Sequence, residues 1–571
     1  MSVCRLLLAG VPALLLLTGC REQIEIPSPA PVPQRSVTAI QLRDVTQAAG
    51  LDFRHEHGGT GRHYYIETMG SGCAFLDYDG DGKLDIFLVQ SGSLPGYEAD
   101  RPLSHALFRN QGDGTFRDVT ESARFGSTSY GLGCCTADFD NDGYPDLFVT
   151  GLERNCLYVN NGDGTFREAD AECGIGGTPM CTSASFVDYD HDGLLDLIIG
   201  RYMDYDLKNN PRCKDQSGRP AYCMPSVYEG TNCLLYRNEG DGRFTDVTDS
   251  SGVGAARGRA MGIAAADFDV DGWIDLFVSC DLSPNLLFLN NRDGTFREEG
   301  ASRGSAYAQD GIARAGMGVD CADFNNDQLL DIVVTNFENE PNSLFRGEPN
   351  GMFVDATLGA GLDVSRPYVG WGVHFVDLDL DGWQDLFVVN GHVNDYADEL
   401  QRGKGYGQTA RVYRNDGRGR FGDVSSGAGE FFARRQVARG AAFGDYDDDG
   451  RMDVLISCNN QPAILLHNES APAAPRRRVA LRGRGCNRDA IGARIVARSG
   501  SLVQTQVVRS ATSYLCDHDR RIIFANPSDE PSELEITWPC GNVQRQIVSA
   551  GPLVWINEDG CRGHKHGESA P

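Results

Sequence analysis

Positive charge is what this chain of 571 residues is short of: 52 Lys and Arg stand against 80 Asp and Glu, for a net charge of −28. That balance argues against nucleic acid or an anionic bilayer surface as the main partner, since both recruit proteins through basic patches. Beyond the first twenty residues no long apolar run occurs, and a mean hydropathy of −0.34 excludes a multi-span membrane protein. Cys-x-x-Cys, Cys-x-x-Cys-His, His-Glu-x-x-His and the P-loop are all missing, as is a dinucleotide fingerprint in strand-turn-helix context. Zinc ribbons, thioredoxin-type centres, c-type haem, zincin proteases and nucleotide enzymes of those kinds are thereby disfavoured. What is abundant is Gly, with 69 residues, which implies many tight turns, and hydrophobic residues at 41%, ample for a core. The surplus of acid suits cation binding.

The N-terminus reads as an address. Arg5 precedes the apolar run from Leu6 to Leu17, too short to span a membrane comfortably. Leu17-Thr18-Gly19-Cys20 resembles the bacterial lipobox, which implies a signal peptide over 1–19, lipidation of Cys20 and a Pro-rich tether over 20–39. An ordinary signal peptide with a chance Cys is the alternative. By resemblance to lipoprotein sorting, Arg21 favours the outer membrane, so the chain is expected exported and anchored in the cell envelope. Of the 18 Cys, Cys4 would leave with the signal and Cys20 would carry lipid, and export makes disulfides the default for the even number that remain. Cys213, Cys223 and Cys233 cluster, Cys540 lies close to Cys561, and the neighbours Cys134 and Cys135 have either a vicinal bridge or separate partners.

Seven copies of D-x-[DN]-x-D-[GQ]-x-x-D organise the chain, about one every 60 residues. Each runs into a β-rich apolar stretch, such as Asp85-Ile86-Phe87-Leu88-Val89. Six are followed by a hairpin such as Leu107 to Thr120, with a Gly-containing polar centre. The seventh stops at Leu465 to Glu469, and the missing half-hairpin stands at the other end, Leu42 to Leu51. The N-terminal strand can therefore close the last sheet, which is how a ring of blades avoids exposed edges. The expected fold is all-β: a seven-bladed β-propeller over 40–470, with an insertion at 201–233, then a small sandwich-like β domain over 476–558 and a tail over 559–571.

The chemistry lies in the aspartates. In Asp77, Asp79, Asp81 and Asp85, carboxylates at loop positions one, three, five and nine converge because Gly82 at position six permits the sharp turn. The pattern recurs at Asp138, Asp140, Asp142 and Asp146, at Asp188, Asp190, Asp192 and Asp196, and at Asp267, Asp269, Asp271 and Asp275. It continues at Asp377, Asp379, Asp381 and Asp385 and at Asp445, Asp447, Asp449 and Asp453. One copy departs: Asp323, Asn325, Asp327 and Asp331 have Gln328 where Gly is wanted, so this site is expected to be the weakest. Hard oxygen ligands in that number suit Ca²⁺ over Zn²⁺. Up to about seven ions, one per turn, would halve the net charge of −28. An EF-hand fails, because position twelve is apolar or Thr (Leu88, Val149, Ile199, Val278, Thr335, Val389, Ile456) and a strand follows instead of a helix.

These repeats and their hairpins resemble the FG-GAP/VCBS repeats of integrin-α-type propellers. Cys486-Asn487-Arg488-Asp489-Ala490-Ile491-Gly492-Ala493-Arg494 and Trp538-Pro539-Cys540-Gly541 resemble the ASPIC/UnbV domain. Together they are similar to the cartilage acidic protein family, which implies an extracellular, Ca²⁺-dependent scaffold. Two departures stand out: Cys540 replaces the usual Ser of Trp-Pro-Ser-Gly, and Ala525-Asn526-Pro527 replaces an expected Gly-Leu-Gly.

Other signals are weaker. Gly300-Ala301-Ser302-Arg303-Gly304 fits G-x-S-x-G but sits in a polar loop rather than on a nucleophile elbow. His55, His57 and His63 can ligate a transition metal or merely feed the first blade, and His564 and His566 lie in a polar tail. The 201–233 insertion carries Tyr202, Tyr205, Tyr222, Met224 and Tyr228, either as binding loop or as cap. A polar loop from Asn390 to Thr409 carries His392, Asn394, Asp395, Tyr396 and Tyr406. The expected function is a non-catalytic binding or adhesion module for an unidentified protein or glycan. The alternatives are an envelope scaffolding protein and a propeller enzyme acting on polysaccharide.

Overall fold

The computed structural model describes residues 39–559 apart from 126–128, 178–179, 216, 400–403, 528–529 and 550. The signal run, Cys20, Cys561 and the histidines of the tail lie outside the described residues. No described helix is long and apolar enough to cross a membrane.

The fold is all-β, as its sequence patterning predicts. Between Leu42 and Asn468 the described residues form seven four-stranded antiparallel sheets. In each, the strand before an Asp turn pairs with the strand after it, as Cys73–Leu76 does with Asp85–Leu88. The hairpin strands follow outward, Ala106–Asn110 and Phe116–Asp118 in the first sheet. The first strands of successive sheets touch one another around a closed cycle, that of the seventh sheet, Ala438–Gly444, returning to Cys73–Leu76. Closure is sealed by the N-terminal strand Leu42–Asp44, which pairs with Ile464–Asn468 in the register Leu42↔Asn468 to Asp44↔Leu466. Strands after the Asp turns are buried on both faces because each sheet is flanked by two others, so they read as continuous apolar runs.

The C-terminal domain has two sheets, one of three strands built on Arg476–Arg482 and one of four built on Arg494–Ser499, around a core that includes Trp538, Phe524 and Ile536. From it a segment enters the axis of the ring. Ser513 and Val319 exchange backbone hydrogen bonds of 2.7 and 2.8 Å, Cys134 N donates to Leu515 O, and Asp517 N donates to Cys73 O. Val373 N donates to Ser513 Oγ, Phe186 N to Ser510 Oγ and Phe443 N to His518 Nδ1. The segment thus meets the first strands of the first, second, third, fifth, sixth and seventh sheets and fills the axis. Glycines in those strands make the room: a Cβ at Gly72 would stand 1.7 Å from the Leu515 carbonyl oxygen.

Cysteine behaves differently from expectation. Cys213 and Cys223 are joined by a disulfide, but Cys233 is buried in the core between the third and fourth sheets. Cys134 and Cys135 do not bridge: alternation along their strand sends them into different cores. Cys73, Cys280, Cys321 and Cys458 are likewise buried thiols.

Candidate functional site

The seven Asp turns lie on one face of the ring and share one construction. The position-one carboxylate accepts the position-six amide, as Asp77 Oδ2 does from Gly82 N at 2.9 Å and Asp267 Oδ2 from Gly272 N at 2.9 Å. The position-five carboxylate folds back on the position-seven amide, as Asp81 Oδ1 does on Lys83 N at 3.0 Å. Position nine opens the next strand and spends its oxygens on backbone: Asp85 accepts Tyr78 N at 3.2 Å and Asn110 N at 2.7 Å. Two residues per turn are left-handed. Position six is Gly everywhere but at Gln328, which takes φ 72° regardless. Position four is also left-handed in all seven turns, including Val270 at φ 58° and Leu380 at φ 53°. Val and Leu resist that geometry, so those two turns hold local strain.

The carboxylates gather closely: in Asp77, Asp79 and Asp85, in Asp138, Asp140 and Asp146, and in Asp188, Asp190 and Asp196, oxygen atoms lie within 4.8 Å of one another. Burial, reinforced by the neighbouring carboxylates, pushes Asp85 up to about 8 and Asp138 to about 7. Asp146, Asp188 and Asp196 are pushed well above the usual carboxylate range for the same reason. Asp138 Oδ1, Asp188 Oδ1 and Asp269 Oδ1 are buried and accept no hydrogen bond. Buried, crowded and partly unsatisfied oxygens fit a hard divalent cation, which would supply the missing partner and favour the ionised form.

The turns are not equal. Hairpin arginines already reach some of them: Arg109 lies 2.5 Å from Asp79, and Arg414 lies 2.7 Å from Asp379 and 2.8 Å from Asp381. In the seventh, His467 Nδ1 lies 3.2 Å from Asp453 and 3.5 Å from Asp447, while Arg478 of the C-terminal domain reaches Asp445 Oδ2 at 3.0 Å. This turn carries its own positive charge, a feature that the Asp spacing alone does not reveal.

A second repeated residue had escaped the motif. The Asn ending the third strand of six sheets sends Nδ2 to the position-two carbonyl of the preceding sheet: Asn110 to Tyr446, Asn160 to Tyr78, Asn238 to Phe139 and Asn290 to Tyr189. Asn415 reaches Phe324 and Asn468 reaches Leu378 in the same way. The fifth sheet has Gly347 there. The signal was present in the sequence as an Asn recurring in the hairpins, but its target is in another repeat.

The C-terminal domain sits against this face. Asn141 Oδ1 accepts Arg488 N at 2.8 Å, Asp138 N donates to Asp489 Oδ2 at 3.0 Å, and Arg494 reaches Gln328 O at 3.0 Å. Asp320, fully buried, lies 3.3 Å from Arg509 and 2.9 Å from His374 Nδ1. A cleft of about 610 Å³ remains between the domain and the first two turns, lined by Asp81, Asp142, Arg488, Arg521 and Trp555 among others. Trp555 is 53% exposed, with the Arg482 guanidinium 4.9 Å from its ring centre.

On the opposite face the 201–233 insertion is a cap. Tyr202, Tyr205 and Tyr228 are buried, Tyr65 and Tyr202 share a 2.8 Å hydrogen bond, and Tyr222 donates to Glu67 at 2.8 Å. Met224 is left exposed. In the loop from Asn390, His392 is buried, 3.6 Å from Glu338. The three early histidines do not converge: His55 pairs with Ser91 and Asn460, His57 accepts the Gly59 amide, and His63 packs edge-on to Tyr222. Ser302 lies in a four-residue helix and donates to Glu299 O, without a nucleophile elbow.

A closed cycle of sheets opened by Asp turns, with a β domain docked on the turn face, defines a β-propeller repeat protein. The chain matches the FG-GAP-like repeat family at residues 77–149, 138–199, 226–278, 267–334, 323–388 and 400–456, and the ASPIC and UnbV family at 483–560. It belongs to the FG-GAP-like repeat family and carries an ASPIC and UnbV domain. It is similar to cartilage acidic protein 1 of Xenopus tropicalis, 29% identical over 311 residues that cover 51% of this chain and 43% of that protein. Against the Homo sapiens protein it is 27% identical over 328 residues, 55% of this chain and 46% of that protein. The match therefore spans less than half the length of these curated relatives. Among solved structures, an Agrocybe aegerita lectin recognising non-reducing terminal N-acetylglucosamine is 18% identical with a TM-score of 0.40, covering 68% of this chain and 86% of that one. The rhamnogalacturonan lyase YesW is 14% identical with a TM-score of 0.36, covering 71% and 72%.

Proposed function

We propose that this protein is a non-catalytic binding module: a seven-bladed propeller over 40–470, stapled by calcium in its Asp turns and closed on one face by the domain over 476–558. The observation that carries the calcium reading is the set of buried carboxylate oxygens at Asp138, Asp188 and Asp269 that accept no hydrogen bond, the first two crowded by other carboxylates of their own turns. Each ion would offset about half the charge of a four-Asp turn and hold the loop to its sheet. The residues of every turn named above supply the ligands. The seventh, with His467, Arg478 and Arg521 about it, joins the Asn325 turn among the weaker sites.

A segment filling the axis leaves no channel through the ring, so the ligand surface belongs at the rim. The cleft beside the first two turns is the candidate, with Trp555 offering a ring face, Arg482 and Arg488 positive charge, and the first two turns their metal. A protein or glycan that binds there would do so more weakly once calcium is removed. The lipobox at Cys20 supports presentation on the cell envelope, with the outer membrane favoured by Arg21.

A thermal melt of residues 38–571 in calcium and in excess chelator, with bound metal counted, tests the first part. No shift and no bound calcium would overturn it. Screening glycan and protein arrays with the intact protein and with Trp555→Ala tests the second. Binding that is lost with chelator and weakened in the variant supports the cleft, and binding indifferent to both sinks it.

A further inference from the structure

The C-terminal domain holds a second cluster of metal-binding atoms, of different chemistry from the Asp turns. Cys486 lies in the turn after Arg476–Arg482, Cys540 in the turn joining Ser532–Thr537 to Val543–Val548, and Glu558 directly after Val554–Asn557. Three segments distant in sequence bring these groups to one end of the domain. Cys486 Sγ is 3.4 Å from Glu558 Oε2, Cys540 Sγ is 3.1 Å from Glu558 Oε1, and a ligand atom of each residue lies within 4.8 Å of the others.

We propose that Cys486, Cys540 and Glu558 hold a zinc-type divalent cation. The spacing suits it: zinc at about 2.3 Å from sulfur and 2.0–2.2 Å from oxygen, in tetrahedral arrangement, sets sulfur and oxygen ligands about 3.5 Å apart. The carboxylate is aimed and held. Its Oε2 accepts the Arg484 and Gly485 amides at 2.8 and 2.7 Å, and Asn542 Nδ2 approaches Oε1 at 3.4 Å. Such outer contacts fix a ligand's orientation at metal centres. Glu558 is 1% and Cys486 7% exposed, whereas Cys540 is half-buried. The cluster is thus dry on one side and open on the other, where a further ligand from solvent or chain can complete the shell.

The local backbone is built around this point. Gly541 at φ 83° and the 2.8 Å bond from Trp538 N to Asn542 O make the tight turn that presents Cys540. Gly483, whose amide donates to Arg488 O, leaves room for the first thiol: a Cβ there would stand 2.8 Å from Cys486 Sγ. Two sulfurs and one oxygen select zinc over calcium, the reverse of the Asp turns. Binding converts each thiol to thiolate and releases its proton to solvent.

The test uses the full chain, loaded with zinc or cobalt after calcium saturation. One ion per chain should resist a calcium-selective chelator, and cobalt should show a thiolate-to-metal charge-transfer band. Cys486→Ser and Cys540→Ser should abolish the band, and Glu558→Gln should weaken cobalt about tenfold or more, all with the calcium count unchanged. A disulfide found by non-reducing peptide mapping, Cys486 to Cys540 or Cys540 to Cys561, would overturn the proposal. So would a wild-type protein that binds no zinc or cobalt and titrates as reduced thiols, an outcome independent of how the variants fold.

Discussion

In the ring most motif side chains meet similar surroundings from sheet to sheet; in the C-terminal domain each contact is made once. The ring's acidic turns are spaced by a repeated motif and linked by repeated Asn bonds between neighbours. The C-terminal domain answers them with arginines: Arg478 at the seventh turn, Arg488 at the second, Arg509 at the buried Asp320. Charge that repels within the ring becomes the docking surface for the second domain. The fifth sheet shows what repetition tolerates, having lost both the position-six Gly and the hairpin Asn while keeping its fold.

Of all perturbations to ring and domain, metal removal should have the largest effect. At calcium a hundredfold above its Kd, each occupied turn adds about 2.7 kcal/mol by mass action. Chelation should therefore lower the melting temperature far more than any single substitution, as calorimetry would show. Next comes Arg509→Met, which leaves Asp320 buried without its cation. A loss of about 3–5 kcal/mol is expected in denaturant titration.

Gly72→Ala should destabilise by about 1–3 kcal/mol, because its Cβ meets the backbone of the axial segment. Gly422→Ala, with nothing within 4 Å, should stay within about 0.5 kcal/mol; equal effects would mean that the axial segment is not seated. Asp269→Ala should remove one calcium and leave the others bound, and changes at Asn325 or Asp327 should matter less. Native mass spectrometry of the three variants checks this order.

The smallest effect is in pH. Burial raises the Asp320 carboxyl, but Arg509 and His374 outweigh it and hold the group below the usual value of 3.8. A depressed carboxylate contributes stability that is full above its unfolded pKa and is lost as pH falls through its folded one. The stability gap between the protein and Asp320→Asn should be flat above about pH 5 and shrink below about pH 4.

Much of this was legible beforehand. Asp spacing located every turn, because a carboxylate needs fixed offsets to reach a neighbouring amide or ion. The half-hairpin at Leu42 foretold the pairing with Ile464–Asn468, because an open sheet edge demands a partner. Cysteine misled, since an even count reads as disulfides wherever export is expected, while among the described cysteines Cys213 and Cys223 are bridged and most others are buried thiols. The left-handed residue at position four was hidden in the turns of Val270 and Leu380, because these are not residues that adopt such a conformation by themselves.

Strands, turns and blades follow from local periodicity and from motifs whose atoms lie within a few residues of one another. The seating of Ser510 to His518 in the axis, the capping by the insertion at 201–233 and the convergence of Cys486, Cys540 and Glu558 arise only on folding. Those contacts join residues tens to hundreds of positions apart, and no local pattern records which distant surface a loop will meet.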